Sequence, residues 1–258
     1  MSEMFELISG FLIDIDGVLY IDQQPIAGAV ECITAMREEG FALRFLTNTT
    51  RKTRDMLHAE LTGMGFPIEK HEIISAPYAA LHHLQQQPEA SAHFVMNEAL
   101  LPDFAGIRQE DEHPTYVVVG DLGEAFTYER LNTAFRCLMN GAELLAFQKN
   151  RYWRRADGLC LDAGAYVALL EFAADKNATI FGKPAPRFFR TALEDLGLPP
   201  HQVVMIGDDI ETDIRGAQGV SIEGILVKTG KYREDIVSKS TVSPDLVINS
   251  IADLIDLL

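Results

Sequence analysis

Two aspartates separated by one residue follow a short apolar segment near the start of the chain. The apolar segment 11–13 leads directly into Asp14, Ile15, Asp16 and Gly17. Such a segment is typical of a buried strand, and side chains alternate along a strand, so both carboxylates begin on the same face. Two neighbouring carboxylates at a strand end repel each other and lose hydration unless a cation or a shared proton compensates.

Three interpretations of this pair compete. Asp and Gly are frequent in turns, so the two aspartates can be solvated turn residues. A calcium loop of the EF-hand type fails on spacing. Counted from Asp14, its required Gly and Glu positions hold Leu19 and Pro25. The third is a phosphoryl-transfer site around Mg²⁺, in which one aspartate attacks phosphorus and the other acts as acid and base.

Three further predicted strand ends carry polar side chains of the kinds that phosphoryl transfer needs. Singly, each has a plain explanation as a turn hydroxyl, a surface lysine or a helix cap. In an open α/β sheet, however, ligands bind at the carboxyl ends of the strands, so the segments would converge on one crevice. Together they would supply a nucleophile, phosphate donors, a cation and metal ligands. These residues are Thr47 and Asn48 after 42–45, Lys183 after 179–181, and Asp208, Asp209 and Asp213 after 203–206.

Alternating strand and helix patterns predict an α/β fold with a Rossmann-like parallel sheet. The predicted strands are 11–16, 42–47, 93–96, 116–119, 143–146, 178–181, 203–207 and 222–227. The predicted helices lie near 27–39, 52–63, 127–140, 164–174, 186–197, 210–218 and 249–257. The middle of the chain carries none of the four motifs. We therefore predict a core formed by 1–79 and 179–258, with a second α/β domain inserted at 80–178.

The four motifs, in this order, resemble those of the haloacid dehalogenase (HAD) superfamily, and within it the class IIA, NagD-like capped phosphatases. The similarity extends to the subgroup of haloacid dehalogenase-like hydrolase domain-containing protein 2 and phospholysine phosphohistidine inorganic pyrophosphate phosphatase. It covers nearly the whole chain and implies a HAD core with an inserted α/β cap of the C2a type. The matching stretches are 14–20, 44–52, 149–161, 182–189, 204–217 with its MIGDD sequence, and 224–232.

The resemblance implies a Mg²⁺-dependent phosphatase that works through an aspartyl-phosphate. Asp14 would be the nucleophile, and Asp16 would protonate the leaving group and then activate water. Carboxylate and carbonyl oxygens are the ligands that Mg²⁺ prefers. The metal would therefore be held by the Asp14 carboxylate, the Asp16 main-chain carbonyl and Asp208.

The remaining motif residues would bind and orient the phosphoryl group. Thr47 and Asn48 would donate hydrogen bonds to its oxygens, and Lys183 would neutralise the charge that develops on them. Either Asp209 or Asp213 would orient Lys183 or the surroundings of the metal, and the choice between them is open.

One further segment is a candidate for recognising the leaving group. Asn150, Arg151 and Tyr152 lie in a basic and aromatic stretch of the predicted cap, where they would form a specificity loop. A solvated loop with one buried aromatic residue is an equal alternative.

Two other classes of function share this set of residues. A phosphotransferase or phosphomutase would use the same covalent step with a different acceptor. A non-catalytic binding protein on the same fold is the other, and the intact carboxylates and lysine argue against it. The formal net charge of −16 and the lack of a basic stripe argue against a nucleic-acid partner. Such a charge hinders anionic substrates, so we expect a small phosphorylated metabolite rather than a polyanion.

The remaining sequence features predict a cytoplasmic protein. Cys32, Cys137 and Cys160 are scattered and form no CxxC pair, as expected of thiols in a reducing compartment. No apolar run approaches the roughly 20 residues of a membrane span, and the segment 1–10 lacks the basic and apolar regions of a signal peptide. A homodimer is left open as the assembly.

Overall fold

The computed structural model describes residues 7–155 and 158–258. Its α-helices are α1 Ala29–Glu38, α2 Arg54–Gly63, α3 Ala76–Gln85, α4 Tyr128–Met139, α5 Ala163–Ala174, α6 Pro186–Leu196, α7 Arg215–Gln218 and α8 Glu234–Val237. Its strands are β1 Gly10–Asp14, β2 Tyr20–Ile21, β3 Gln24–Pro25, β4 Ala42–Thr47, β5 Ile73–Ser75, β6 Ser91–Val95, β7 Arg108–Gln109, β8 Tyr116–Val119, β9 Glu143–Ala146, β10 Tyr152–Arg155, β11 Gly158–Leu161, β12 Thr179–Ile180, β13 Val203–Gly207, β14 Glu223–Val227 and β15 Leu246–Ile248.

A six-stranded sheet contains the strands that end in three of the motifs. Its order is β15-β14-β13-β1-β4-β5, and β1 pairs in parallel with both β13 and β4. Ile13 lies opposite Ile206, and Asp14 lies opposite Leu46. Strands β1, β4 and β13 therefore finish at the same edge of the sheet, which confirms the predicted parallel α/β fold.

The core of this unit forms because its strands are apolar on both faces. All five residues of β1 and of β13 are buried, as expected of parallel strands covered by helices on both sides. Phe11 and Phe45 are fully buried in the same cluster as Ile33 and Met36 of α1. Because these residues are buried and packed together, the strand ends and the side chains that follow them are held in fixed positions.

A second sheet lies in the middle of the chain and has its own core. Five strands pair in the order β12-β9-β8-β6-β7, and β10 and β11 form a separate antiparallel pair. Helices α4 and α5 pack on it through residues such as Leu138 and Leu170. The side chains of Thr127 and Asp162 accept hydrogen bonds from the first main-chain N–H groups of α4 and α5, so both helix starts are capped.

Contacts divide the described residues into two compact units. The first contains 7–47, Asp55–Ile74 and Lys183–Leu258, and the second contains Asn48–Arg54 and, apart from 156–157, Ser75–Gly182. The predicted core and cap had boundaries after 79 and 178, and their assignment as functional domains stays a prediction.

Several elements differ from the prediction. The expectation that all four motif strands share one sheet is wrong, because β12 pairs with β9 in the second unit. The helix predicted at 210–218 begins as a π-helix at Ile210–Ile214 before α7, and the C-terminal helix is a 3₁₀ helix at Ile251–Asp256. Among the described residues, no helix has both the length and the apolar content needed to cross a bilayer.

Candidate active site

Asp14 ends β1 and is almost completely buried, at 3% exposure. Its Oδ1 atom accepts a hydrogen bond from the main-chain N–H of Ile15 at 2.8 Å and lies 2.6 Å from Nζ of Lys183. No other residue in the described part of the chain donates to its Oδ2 atom. One carboxylate oxygen is therefore fixed and the other is available.

Lys183 is buried between two carboxylates. Its Nζ atom lies 2.6 Å from Asp14 Oδ1 and 2.7 Å from Asp213 Oδ1. Burial alone would lower the pKa of this lysine, but the charges and hydrogen bonds of Asp14 and Asp213 outweigh it and raise the pKa. Lys183 therefore stays charged and holds both aspartates in place.

Asp208 follows β13 directly and stands beside Asp14 and Asp213. One oxygen from each of these three buried carboxylates lies within 4.8 Å of the others. Asp208 Oδ2 accepts a hydrogen bond from the main-chain N–H of Lys231 at 2.7 Å. Its Oδ1 is buried and has no hydrogen-bond partner among the described residues, which is costly for an ionised group.

Each carboxylate of this cluster destabilises the ionised form of its neighbours. Burial, and then repulsion from Asp14 and Asp213, raises the pKa of Asp208 to about 7. Burial, and then repulsion from Asp14, raises the pKa of Asp213 to about 6. Three carboxylates face one paired lysine, and an oxygen-only donor set with an unpartnered Asp208 oxygen fits a divalent cation such as Mg²⁺.

Asp16 follows Asp14 by two residues and is not one of the three clustered carboxylates. It is half-buried, and its Oδ2 lies 3.5 Å from the hydroxyl oxygen of Thr47, which ends β4. The hydroxyl of Tyr20 hydrogen-bonds Asp16; burial, and then the Asp16 charge, raises the pKa of Tyr20. Asp16 is thus oriented by two hydroxyl groups, and Tyr20 is a neighbour that the sequence analysis did not identify.

Two glycines let the backbone approach Asp208. A Cβ atom on either Gly17 or Gly230 would lie 2.0 Å from Asp208 Oδ2, and both residues have positive φ angles. The hydroxyl of Thr229 donates to the main-chain oxygen of Gly17 at 2.5 Å. The loop after β14 is therefore tied to the loop after β1, with the Asp208 carboxylate between them.

Asp209 and Asp213, which the sequence left as alternatives, occupy different positions. Asp209 Oδ1 accepts hydrogen bonds from the main-chain N–H groups of Glu211 and Thr212, at 2.9 and 3.1 Å. Asp209 therefore caps the helix, whereas Asp213 contacts Lys183. The main-chain N–H of Asp209 also donates to Asp213 Oδ2 at 3.1 Å, which fixes the second oxygen of Asp213.

Asn48 belongs to the second unit rather than to the unit that contains Asp14. Its side-chain oxygen lies against Gly182, only 2.6 Å from the place of a Cβ atom on that glycine. Of the residues predicted for the site, the first unit contains Asp14, Asp16, Thr47, Lys183, Asp208, Asp209 and Asp213.

The predicted specificity loop lies at the start of the β10–β11 pair in the second unit. The main-chain N–H of Gly164 donates to the oxygen of Asn150 at 3.0 Å, and that of Asp162 donates to Arg151 at 3.2 Å. The loop is therefore attached to the start of α5. The side chains of Arg151 and Tyr152 are exposed.

Comparison with known proteins agrees with this geometry. A family model described as haloacid dehalogenase-like hydrolase matches residues 11–107, and a HAD-hydrolase-like model matches 180–254. Haloacid dehalogenase-like hydrolase domain-containing protein 2 of Homo sapiens is 40% identical over 96% of this chain and 95% of its own length. Phospholysine phosphohistidine inorganic pyrophosphate phosphatase of Danio rerio is 37% identical over 98% and 95%.

Solved structures give the same result. The p-nitrophenyl phosphatase from Archaeoglobus fulgidus superposes with a TM-score of 0.91 at 27% identity, covering 97% of this chain and 99% of that one. NagD from Escherichia coli K-12 superposes with a TM-score of 0.87 at 26% identity, covering 95% and 98%.

Fold and site together define a phosphatase with a carboxylate cluster at the end of a parallel sheet. The chain belongs to the haloacid dehalogenase-like hydrolases. Within them it is NagD-like, as the resemblance of its motifs predicted.

Proposed function

We propose that the protein is a Mg²⁺-dependent phosphatase that hydrolyses a small phosphorylated metabolite through an aspartyl-phosphate. The observation that supports this most is the position of Lys183. It fixes one oxygen of Asp14, whose carboxylate clusters with that of Asp208, and Oδ1 of Asp208 has no hydrogen-bond partner among the described residues. A buried carboxylate in this state is a suitable nucleophile once a cation neutralises its neighbours.

The residues suited to hold Mg²⁺ are Asp14 and Asp208, with the main-chain carbonyl of Asp16 as a third oxygen donor. The bound cation would offset the negative charge of the cluster and of the phosphate ester.

In the first step, an oxygen of Asp14 attacks phosphorus and the bond from phosphorus to the leaving-group oxygen breaks. Asp16 gives its proton to that oxygen, which leaves as an alcohol. Thr47 and Asn48 donate hydrogen bonds to the phosphoryl oxygens, and Lys183 offsets their charge. Asp213 holds Lys183 in position through their ion pair. Asp209 caps the start of the helical segment that contains Asp213.

In the second step, water attacks the phosphorus of the aspartyl-phosphate. Asp16, now a carboxylate, takes a proton from this water, and the bond between Asp14 and phosphorus breaks to release inorganic phosphate. The step needs a base within hydrogen-bond reach of the water. The half-exposed position of Asp16 beside Thr47 supports this assignment.

The choice of a metabolite over a polymer rests on charge. An anionic polymer would meet repulsion over much of a protein with a net charge of −16, whereas a small ester needs only the local cations. Transfer to an alcohol acceptor instead of water is the alternative that keeps the same covalent step. Product analysis with and without added alcohol separates these two reactions.

The test is hydrolysis of p-nitrophenyl phosphate with Mg²⁺ and after chelation with EDTA. We expect turnover that EDTA removes and Mg²⁺ restores. Asp14→Asn should lower kcat by at least about 10³-fold, because the amide is a poor nucleophile of the same shape. Asp209→Asn is the matched control, since an asparagine side chain can keep the helix cap. Equal losses in both variants, or full activity in EDTA, would contradict the proposal.

A further inference from the structure

A second lysine, Lys231, stands beside the carboxylate cluster. It lies in the loop after β14, and its main-chain N–H donates to Asp208 Oδ2 at 2.7 Å. The preceding Gly230 packs directly against Asp208 and against Gly17, where a Cβ atom would come within 2.0 Å and 2.6 Å of their atoms. These contacts fix the backbone from which the Lys231 side chain starts.

The two lysines of the site differ in what they contact. Lys183 forms ion pairs with Asp14 and Asp213. The side chain of Lys231 is exposed, and its ammonium forms no ion pair within 4.0 Å among the described residues. Lys231 therefore has all its donors available for a ligand.

The charge of Lys231 nevertheless acts on the site. Although the side chain is exposed, surrounding protein atoms remove part of its hydration, which lowers its pKa, and Lys183 opposes protonation; attraction from Asp14, Asp208 and Asp213 outweighs both and raises the pKa. In the other direction, its charge offsets part of the rise in the pKa of Asp208. Because its main-chain N–H donates to Asp208, the Lys231 side chain starts beside the carboxylate cluster.

We propose that Lys231 is a substrate-binding residue whose ammonium group binds the anionic oxygens of the phosphoryl group. This inference rests on the proposed phosphatase function and adds a residue to it. An ammonium that forms no salt bridge among the described residues can contact a phosphate dianion without first breaking one. A charge-assisted hydrogen bond of this kind contributes about 1.5–3 kcal/mol, which corresponds to about tenfold or more in affinity.

A binding role and a purely structural role for Lys231 lead to different expectations, and those of the binding role come first. A cation beside the carboxylates repels Mg²⁺ while it attracts phosphate. Removal of its charge should therefore weaken phosphate binding and leave Mg²⁺ binding equal or tighter. A damaged loop would weaken both, because the same loop hydrogen-bonds Asp208.

The experiment measures both affinities by titration calorimetry in Lys231→Gln, Lys231→Arg and Lys228→Gln. Lys228 is an exposed lysine three positions earlier whose main chain bonds Ile248, so its variant is the matched control. The probes are inorganic phosphate added to protein saturated with Mg²⁺, and Mg²⁺ added to phosphate-free protein. We expect Lys231→Gln to raise the phosphate dissociation constant about tenfold, Lys231→Arg to restore most of the affinity, and Lys228→Gln to match the parent.

The inference is overturned if Lys231→Gln binds phosphate within twofold of the parent, if both affinities fall together, or if the parent binds no phosphate in Mg²⁺. Turnover of p-nitrophenyl phosphate is measured separately on the parent protein. If the parent protein binds phosphate through Lys231 but does not hydrolyse p-nitrophenyl phosphate, the proposed phosphatase reaction is contradicted and the binding role of Lys231 is supported.

Discussion

The ammonium nitrogen of Lys183 lies 2.6 Å from Oδ1 of Asp14, and both side chains are almost fully buried. A buried ion pair gains little over an apolar pair, but loss of one partner leaves the other charge uncompensated. Lys183 pairs with both Asp14 and Asp213, so its loss would leave two buried carboxylates without their ion-pair partner. Lys183 therefore matters for stability as well as for chemistry.

Lys183→Met should lower the free energy of unfolding by about 3–5 kcal/mol in metal-free buffer, as for other broken buried pairs. Urea unfolding followed by circular dichroism measures it. Lys149→Met is the control, because Lys149 pairs with Glu171 at a more exposed position and should cost no more than about 1 kcal/mol. A similar loss in both variants would show that Lys183 has no special structural role.

The raised pKa of Asp208 predicts a pH dependence of stability in the metal-free protein. A carboxyl group whose pKa is about 7 in the folded protein and near 4 in the unfolded chain binds protons more tightly when folded. Its contribution to stability therefore falls as pH rises from about 4 to 7, and stays constant above that range.

Asp208→Asn removes this titration and keeps an acceptor for the N–H of Lys231. In EDTA, the variant should gain stability relative to the parent as pH rises from about 4 to 7. Urea unfolding of both proteins at several pH values gives the difference, in which titrating groups distant from the cluster cancel. A difference that does not change with pH would contradict the raised pKa of Asp208.

Mg²⁺ should stabilise the parent protein against heat. A ligand present at a hundredfold excess over its dissociation constant adds about 2.7 kcal/mol, or roughly 5 °C or more in a chain of this length. The same addition should have little effect on Asp208→Asn, which loses a carboxylate from the cluster. Differential scanning calorimetry with and without Mg²⁺ provides the readout, and Ca²⁺ and Na⁺ at matched ionic strength are the controls. Equal shifts in both proteins would place the cation elsewhere.

The exposed loop residue Arg151 should affect choice of substrate. If Arg151 binds the leaving group of an anionic metabolite, Arg151→Ala should lower kcat/KM for that metabolite by about 10-fold or more. Activity on p-nitrophenyl phosphate should change much less, because its leaving group needs little recognition.

The preferred metabolite for this comparison comes from a screen of phosphorylated compounds with Mg²⁺. Arg108→Ala, an exposed arginine of the same unit, controls for loss of a surface charge. An equal reduction for every substrate would remove Arg151 from the specificity loop.

The sequence was sufficient to predict the parallel sheet and most of the carboxylate cluster. Apolar segments before Asp14 and Asp208 predict buried strands, and the carboxyl ends of parallel strands meet at one edge. The sequence also allowed Lys183 to be an ordinary surface lysine. In the structure its side chain is instead buried between Asp14 and Asp213.

What the sequence did not predict depends on contacts between distant segments. Strand β12 precedes Lys183 but pairs with β9, and no local pattern tells which of two parallel sheets a two-residue strand joins. Tyr20 and Lys231 reach the site through a hydrogen bond and a loop contact that leave no periodic signal. The difference between Asp209 and Asp213 likewise arises from a π-helical turn that places only Asp213 against Lys183.

Gly17 and Gly230 hold the Asp208 carboxylate between two stretches of bare backbone. Because any side chain at either glycine would overlap Asp208, these positions offer no variation that could adapt the enzyme to a new substrate. Directed evolution of this protein would therefore have to leave both positions as glycine and draw its diversity from other residues. The backbone on both sides of this buried carboxylate is thereby closed to adaptation.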